Sequence, residues 1–252
     1  MFAPQESMRS EESCLLEQPL QTAEGTLTRR NRRGGSFAGS RIAESIPLPE
    51  CLGTPWWKRG CDIVGASLLL CLLLPFLVAI ACYIRIVSKG PALFFQRRVG
   101  EGGKHFNIIK FRTMDVRPEA TAEHRVYVER LTSQDAPIEK PDHTNRIIPG
   151  GNFLRRNSID EFPQLLNVLM GTMSLVGPRP DLLEIEDYQP WQLRRFEVLP
   201  GMTGLWQVSG KNRLTFREMI QLDIQYVEAR SFALDLRILL KTFSVVVQQD
   251  ND

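Results

Sequence analysis

One uninterrupted apolar run dominates the hydrophobic pattern of the chain. From Ile63 to Ile84, 22 consecutive residues carry no charge. As a helix this stretch is ~33 Å long, enough for a hydrocarbon core about 30 Å thick. Pro75 lies near its middle, where the ring removes one backbone hydrogen bond, collides with the carbonyl of Cys71 and pushes Leu74 out of helical geometry. A bend there leaves two arms of roughly 15 to 18 Å, each about half the hydrocarbon thickness, so the chain can dip to the midplane and return. A straight spanning helix satisfies the same hydropathy. Charge separates the two readings. Lys58 and Arg59 precede the run and Arg85, Lys89, Arg97 and Arg98 follow it. Lys and Arg collect on the cytoplasmic flanks of membrane segments, and here both flanks qualify. A hairpin keeps both on one side. Trp56 and Trp57 stand where an aromatic interface anchor belongs. The expectation for residues 56–90 is a re-entrant membrane helix broken at Pro75.

Residues 1–55 mix Glu, Ser, Gly and Arg with no sustained apolar period, which predicts a disordered or loosely held tail. Its Arg29 to Arg33 cluster fits either anionic headgroups or a solvated run. Residues 91–252 alternate shorter elements. Leu93 to Arg98 and His105 to Met114 are strand-like, and Gly-Glu-Gly-Gly at 100 to 103 joins them as a hairpin. Alternation puts Phe106, Ile108, Lys110 and Arg112 on one face of the second strand. Residues 117–143 are polar and acidic, predicting a surface helix and a Pro-containing loop. A helix is predicted from Asp160 to Met170, ending at Gly171. Beyond it GTMSLVGPRPD reads as a loop because of Gly177, Pro178 and Pro180. Thr215 to Glu218 is a capping box opening one further helix. Ala233 to Gln248 forms another, apolar enough either to pack in the core or to lie on a bilayer. The fold class predicted is α+β: a re-entrant helix hairpin, then a compact, mainly helical domain with a small β-hairpin and surface amphipathic helices.

A length of 252 residues suits one compact unit with an appendage. With 31 basic and 29 acidic residues the net charge is +2, too balanced for a chain that coats nucleic acid. The distribution is less even. Between Arg85 and Arg112 there are seven basic residues (Arg85, Lys89, Arg97, Arg98, Lys104, Lys110, Arg112) and one acid, Glu101, a local +6. Such a patch suits phosphates, of headgroups or of a nucleotide, or else a solvated hairpin. The five cysteines include no CxxC and the three histidines no HExxH, so no zinc site is expected. Their odd number fits free thiols in a reducing compartment.

The densest group of candidate functional residues is Arg155-Arg156-Asn-Ser158-Ile-Asp160-Glu161-Phe-Pro163. Acids in a first helical turn favour the helix dipole, and Ser158 with Glu161 matches a capping box. Capping does not exclude chemistry. A carboxylate fixed beside two arginines stays ionised, as a nucleophile or metal ligand must. In Gly177-Pro178-Arg179-Pro180 the prolines restrict the backbone around a guanidinium able to grip phosphate. The Gly-rich stretch from Leu199 to Gly210 reads as a rigid turn packing Trp206, or as part of a site.

Together these strings resemble a known family. IIKFRTM (108 to 114), RRNSIDEFPQLLNVLMGTMSLVGPRPD (155 to 181), LPGMTGLWQVSGKN (199 to 212) and KRGCDIVGA (58 to 66) are similar to motifs of the bacterial sugar transferases. These are monotopic phosphoglycosyl transferases that initiate exopolysaccharide and O-antigen synthesis. The length and single apolar run resemble the short members. Many members carry Ser-Pro at the helix break, where this chain has Leu74-Pro75.

The resemblance implies a catalytic domain on the cytoplasmic face of the bacterial inner membrane, with Mg²⁺ as cofactor. It implies Asp160 as nucleophile and metal ligand, Glu161 as general base, and Lys110, Arg155 and Arg179 as substrate-binding cations. Arg112, on the same strand face as Lys110, joins them. The implied reaction takes sugar-1-phosphate from a UDP-sugar through an aspartyl intermediate to undecaprenyl phosphate, releasing UMP. The lipid bilayer, a second copy of the chain and downstream glycosyltransferases are the further partners implied. Two rival readings are a non-catalytic membrane-tethered scaffold and a hydrolase passing the same phosphosugar to water. Which sugar is carried depends on pocket contacts that no linear motif contains.

Overall fold

In a computed structural model, residues 48–114, 146–210 and 213–248 are described. Most of the N-terminal tail with its Arg29 to Arg33 cluster, the 117–143 segment, and Lys211 and Asn212 of the Gly-rich string lie outside the described residues.

The first element is a single helix, α1, over Trp56–Val87. Its 32 residues make it ~48 Å long, long and apolar enough to cross a membrane. Pro75 lies inside it and does not end it. One missing hydrogen bond is a local loss, and apolar contacts hold the helix on both sides of it. Leu70 and Leu73 precede the proline, and Leu77, Ile80 and Ile84 follow it, against Phe111, Ile148 and Leu154. The buried positions of α1 are Lys58, Asp62, Ala66, Leu77, Ile80 and Ile84, a stripe at helical spacing. Leu68, Leu69, Leu72, Leu74, Phe76 and Val78 face outward.

Both ends of α1 are bonded to the same unit. Near the start, Lys58 Nζ donates to Val176 O at 2.9 Å and to Asp235 Oδ2 at 2.6 Å. One turn on, Asp62 Oδ1 accepts from Ser174 Oγ at 3.0 Å and Leu175 N at 2.9 Å. At the other end, Arg112 donates to Ser88 O at 3.0 Å and Lys89 O at 2.6 Å. A guanidinium there meets the negative pole of the helix and two carbonyls just past its last turn.

The chain then forms the expected antiparallel hairpin, β1 (Leu93–Val99) and β2 (His105–Phe111), in register from Leu93 opposite Phe111 to Val99 opposite His105. Gly102 and Gly103 turn the chain with φ of 63° and 74°. Next come α2 (Gly151–Arg156), a 3-10 turn over Ile159–Gln164, and α3 (Leu165–Met170), which ends at Gly171 with φ 80°. The predicted helix over 160–170 is therefore two pieces, with Asp160 and Pro163 in the tighter first one.

GTMSLVGPRPD is partly regular, against the loop expected. Ser174–Val176 forms β3, parallel to β4 (Gly201–Thr203). Gly177 and Gly201 make this possible, since a Cβ at Gly201 would lie 2.1 Å from Gly177 N. The strands meet 27 residues apart, Ser174 against Gly201, a pairing no local pattern announces.

Two helices close the fold. At α4 (Phe216–Ala229) the capping box forms as expected: Glu218 N donates to Thr215 Oγ1 at 3.3 Å and Thr215 N to Glu218 Oε2 at 2.8 Å. The last helix, α5 (Phe232–Gln248), packs one side in the core and leaves an apolar side exposed. Ile238 is buried with Val176, Val198, Tyr226 and Val227, while Phe232, Leu236, Leu239, Leu240 and Phe243 form an exposed stripe. The fold is α+β, mostly helical, with one small antiparallel hairpin.

Candidate active site

Three elements converge on one carboxylate. Strand β2 supplies Lys110, the 3-10 turn supplies Asp160 and Glu161, and the proline-flanked loop after β3 supplies Arg179. Glu161 Oε1 accepts from Lys110 Nζ at 2.9 Å and also from Arg179 Nη2. Burial pushes the Glu161 carboxyl up, but Arg179 and Lys110 outweigh it and hold it well below the usual carboxylate range.

The predicted capping box at Ser158 and Glu161 does not form. Ser158 is left-handed, with φ 55°, and its side chain makes no cap hydrogen bond. Glu161 N bonds to the Ser158 carbonyl at 3.2 Å instead. An N-cap hydroxyl must accept from extended backbone geometry, which Ser158 lacks. The strained turn points Glu161 at two cations rather than back along its own helix.

Asp160 is the opposite case. It is partly buried and its carboxylate makes no hydrogen bond among the described residues. Burial, then the neighbouring charge of Glu161, push it up to about 6, with Lys110, Arg155 and Arg179 pulling the other way. Adjacent acids thus have opposite states: one clamped and inert, one open and close to neutral titration.

The structure brings Lys110 and Arg179 to the acid pair and leaves Arg155 at the edge. Arg155 is exposed, with Nη1 2.8 Å from Met114 Sδ, though its charge reaches Asp160. Arg112 is elsewhere. It shares the strand face with Lys110, as alternation requires, but its guanidinium turns to the end of α1 and packs on Gly90, where φ is +116°.

Sequence reasoning missed a buried arginine that holds the Arg179 loop. Arg195 Nη2 donates to Arg179 O at 2.6 Å; Nη1 donates to Tyr188 OH at 2.8 Å and to Asp181. Asp223 Oδ2 lies 2.9 Å from Arg195 Nη2. Burial pushes Asp223 up to about 7 despite that guanidinium. In the sequence Arg195 stands in a polar run, WQLRRFE, with no periodic signal to separate it from exposed Arg194.

The donor set can be tested for Mg²⁺. Among the described residues no three His, Cys, Asp or Glu side chains form a metal cluster. Among the described residues neither Asp160 oxygen is hydrogen-bonded, while Glu161 is occupied. Mg²⁺ ordinarily takes one or two carboxylates, waters and substrate phosphates, so the residues fit an ion shared with a diphosphate and no all-protein cage.

Residues 53–249, spanning every element above, match the family model for bacterial sugar transferases. The chain belongs to that family. It is 39% identical over 249 residues to the UDP-glucose:undecaprenyl-phosphate glucose-1-phosphate transferase of Caulobacter vibrioides, covering 95% of this chain and 88% of that protein. Against the galactosyl transferase CpsE of Streptococcus agalactiae serotype III it is 42% identical over 193 residues, covering 75% of this chain and 42% of CpsE. Against the undecaprenyl-phosphate galactose phosphotransferase of Salmonella typhimurium it is 36% identical, covering 77% and 41%. The chain thus spans about two-fifths of several relatives and most of the Caulobacter one. As a bacterial sugar transferase, it carries the Asp160-Glu161 pair and the Arg179 loop inside the matched region.

Proposed function

We propose that this sugar transferase moves a sugar-1-phosphate from a UDP-sugar to undecaprenyl phosphate through a covalent phosphosugar on Asp160. The observation that carries the reading is the asymmetry of the acid pair, an open Asp160 beside a Glu161 clamped by Lys110 and Arg179. An Asp160 oxygen attacks the sugar-linked phosphorus, the bridging P–O bond breaks, and its electron pair leaves with UMP. A lipid phosphate oxygen then attacks the same phosphorus and frees Asp160. An anion must approach an anion in both steps, and Lys110, Arg155 and Arg179 lower that repulsion. Glu161 acts by holding two of these cations in place, since so weakly basic a carboxylate is a poor proton acceptor. Magnesium, when bound at Asp160, supplies further charge screening on the donor diphosphate.

The membrane reading is that the chain enters and leaves the bilayer on one face, the cytoplasmic one. Its support is the bonding of both ends of α1 to one unit: Lys58 to Asp235 and Val176, Arg112 to Ser88 and Lys89. The basic flanks and the exposed stripe on α5 agree with it. The lipid-linked product is then presented on that face to the glycosyltransferases that extend it. Single cysteines at 56 and 90, in a chain otherwise free of cysteine, should both react with an impermeant maleimide from the cytoplasmic side alone.

Purified protein should release UMP from a UDP-sugar, and Asp160→Asn should abolish it. Undiminished release in that variant rejects the nucleophile. Free sugar phosphate formed without polyprenyl phosphate identifies a hydrolase, and no turnover by the parent protein identifies a scaffold.

A further inference from the structure

Three arginines of the described structure are buried: Arg98, Arg112 and Arg195. Two have obvious employment. Arg195 meets Asp181 and Asp223, and Arg112 meets two carbonyls at the end of α1. Arg98 does not. It is 8% exposed, and its one hydrogen bond runs from Nη2 to Gln96 Oε1 at 2.6 Å. Nε and Nη1 are buried without any hydrogen-bond partner among the described residues. No carboxylate there lies within ion-pair distance of it. Asp181, the acid with most influence on it, is already taken by Arg195 and Tyr188.

An unpaired buried guanidinium is costly, and Arg98 remains a cation: burial lowers it only to about 10. Burial disfavours it most; Asp181, Glu161 and Tyr188 favour the cation from a distance, while the positive charge of Arg179 opposes it. A guanidinium with two unsatisfied donors, close to a reaction centre, is a receptor for an anion.

Register says which part of the donor Arg98 meets. Arg98 stands opposite Phe106 and Phe94 opposite Lys110, so Arg98 and Lys110 share one face of the hairpin, four positions apart along it. At about 3.3 Å per residue their Cα atoms are ~13 Å apart. Lys110 is held at Glu161, next to Asp160, and Arg179, bonded to the same Glu161, lies within electrostatic reach of Arg98, as Glu161 itself does. Arg98 therefore lies further along the hairpin from the acid pair, within reach of the charge on Arg179.

We propose that Arg98 binds the phosphate of the departing nucleoside monophosphate, donating to it from Nε and Nη1. This rests on the transfer reading above and specifies its leaving-group site. As the Asp160 oxygen bonds to the sugar-linked phosphorus and the bridging P–O bond breaks, the electron pair collects on the oxygen retained by the nucleotide. Arg98 and Arg179 neutralise the charge that develops there.

The test uses the full chain in detergent, with UMP as probe and binding followed by calorimetry. Arg98→Gln should weaken UMP binding about ten- to a hundredfold, the loss expected for charge-assisted hydrogen bonds. Without UMP its melting temperature should match or exceed the parent's, because an unpaired buried charge is gone. Arg98→Lys keeps the charge without the paired donors and should fall between. Parental UMP affinity in both variants overturns the proposal, as does a lower melting temperature in both with affinity retained. If the parent chain binds UMP through Arg98 yet releases none from UDP-sugars, the transfer reading fails and this site stands.

Discussion

Removing Lys58 tests how α1 is held. Its Nζ is 2.6 Å from Asp235 Oδ2, and the two side chains are 4% and 10% exposed. Asp235 Oδ1 accepts from Tyr226 OH at 2.8 Å, and both Lys58 and Tyr226 also donate to Val176 O. Lys58→Met keeps the aliphatic stem and deletes the charge, leaving the Asp235 carboxyl buried without its cation. Breaking a buried pair from one side costs about 3 to 5 kcal/mol. For a unit of this size, about 2 to 4 °C per kcal/mol gives a fall in melting temperature of roughly 6 to 20 °C. Asp235→Asn alone should also destabilise, while the double variant recovers part of the loss because neither charge is stranded. Circular dichroism melts of the four proteins in one detergent give the cycle. A single-variant loss under about 1 kcal/mol, or strictly additive losses, would show that the pair is solvated and that apolar contacts alone dock the helix.

Four further outcomes follow from the site and the fold. UMP release should fall tenfold per pH unit below about 6, because Asp160 must be ionised to attack and its folded value is raised to about 6. Glu161→Gln should cut turnover about a hundredfold by unseating Lys110 and Arg179; yet it should move that acid limb to lower pH, since the Glu161 charge helps hold Asp160 up. Chelation with EDTA should abolish UMP release, and added Mg²⁺ should restore it; full activity in EDTA removes the metal from the scheme. Gly201→Ala should destabilise by about 3 kcal/mol or more, since its Cβ would sit 2.1 Å from Gly177 backbone. A neutral effect in chemical denaturation would refute the close approach of β3 and β4.

Whatever depends on neighbours within a few residues was legible in the chain alone. The apolar run made α1, the glycines at 102 and 103 made the hairpin turn, and Thr215 with Glu218 made a cap, because helix period, turn chemistry and capping are short-range matters. The Asp160-Glu161 pair was legible as a candidate for the same reason: acids clustered at a helix start beside arginines. What each acid does was decided in three dimensions. Ser158 and Glu161 satisfy a capping pattern on paper, but Lys110 and Arg179 lie 51 and 18 residues away and win the carboxylate. Lys110 and Arg112 share a strand face, yet packing sends one to the acids and the other to the end of α1. Arg98 and Arg195 are each the second arginine of a pair, and only burial shows that one is satisfied by acids and the other waits for an anion. Competition among cations for a limited number of anions is settled by distance and desolvation, and those exist only once the chain has folded.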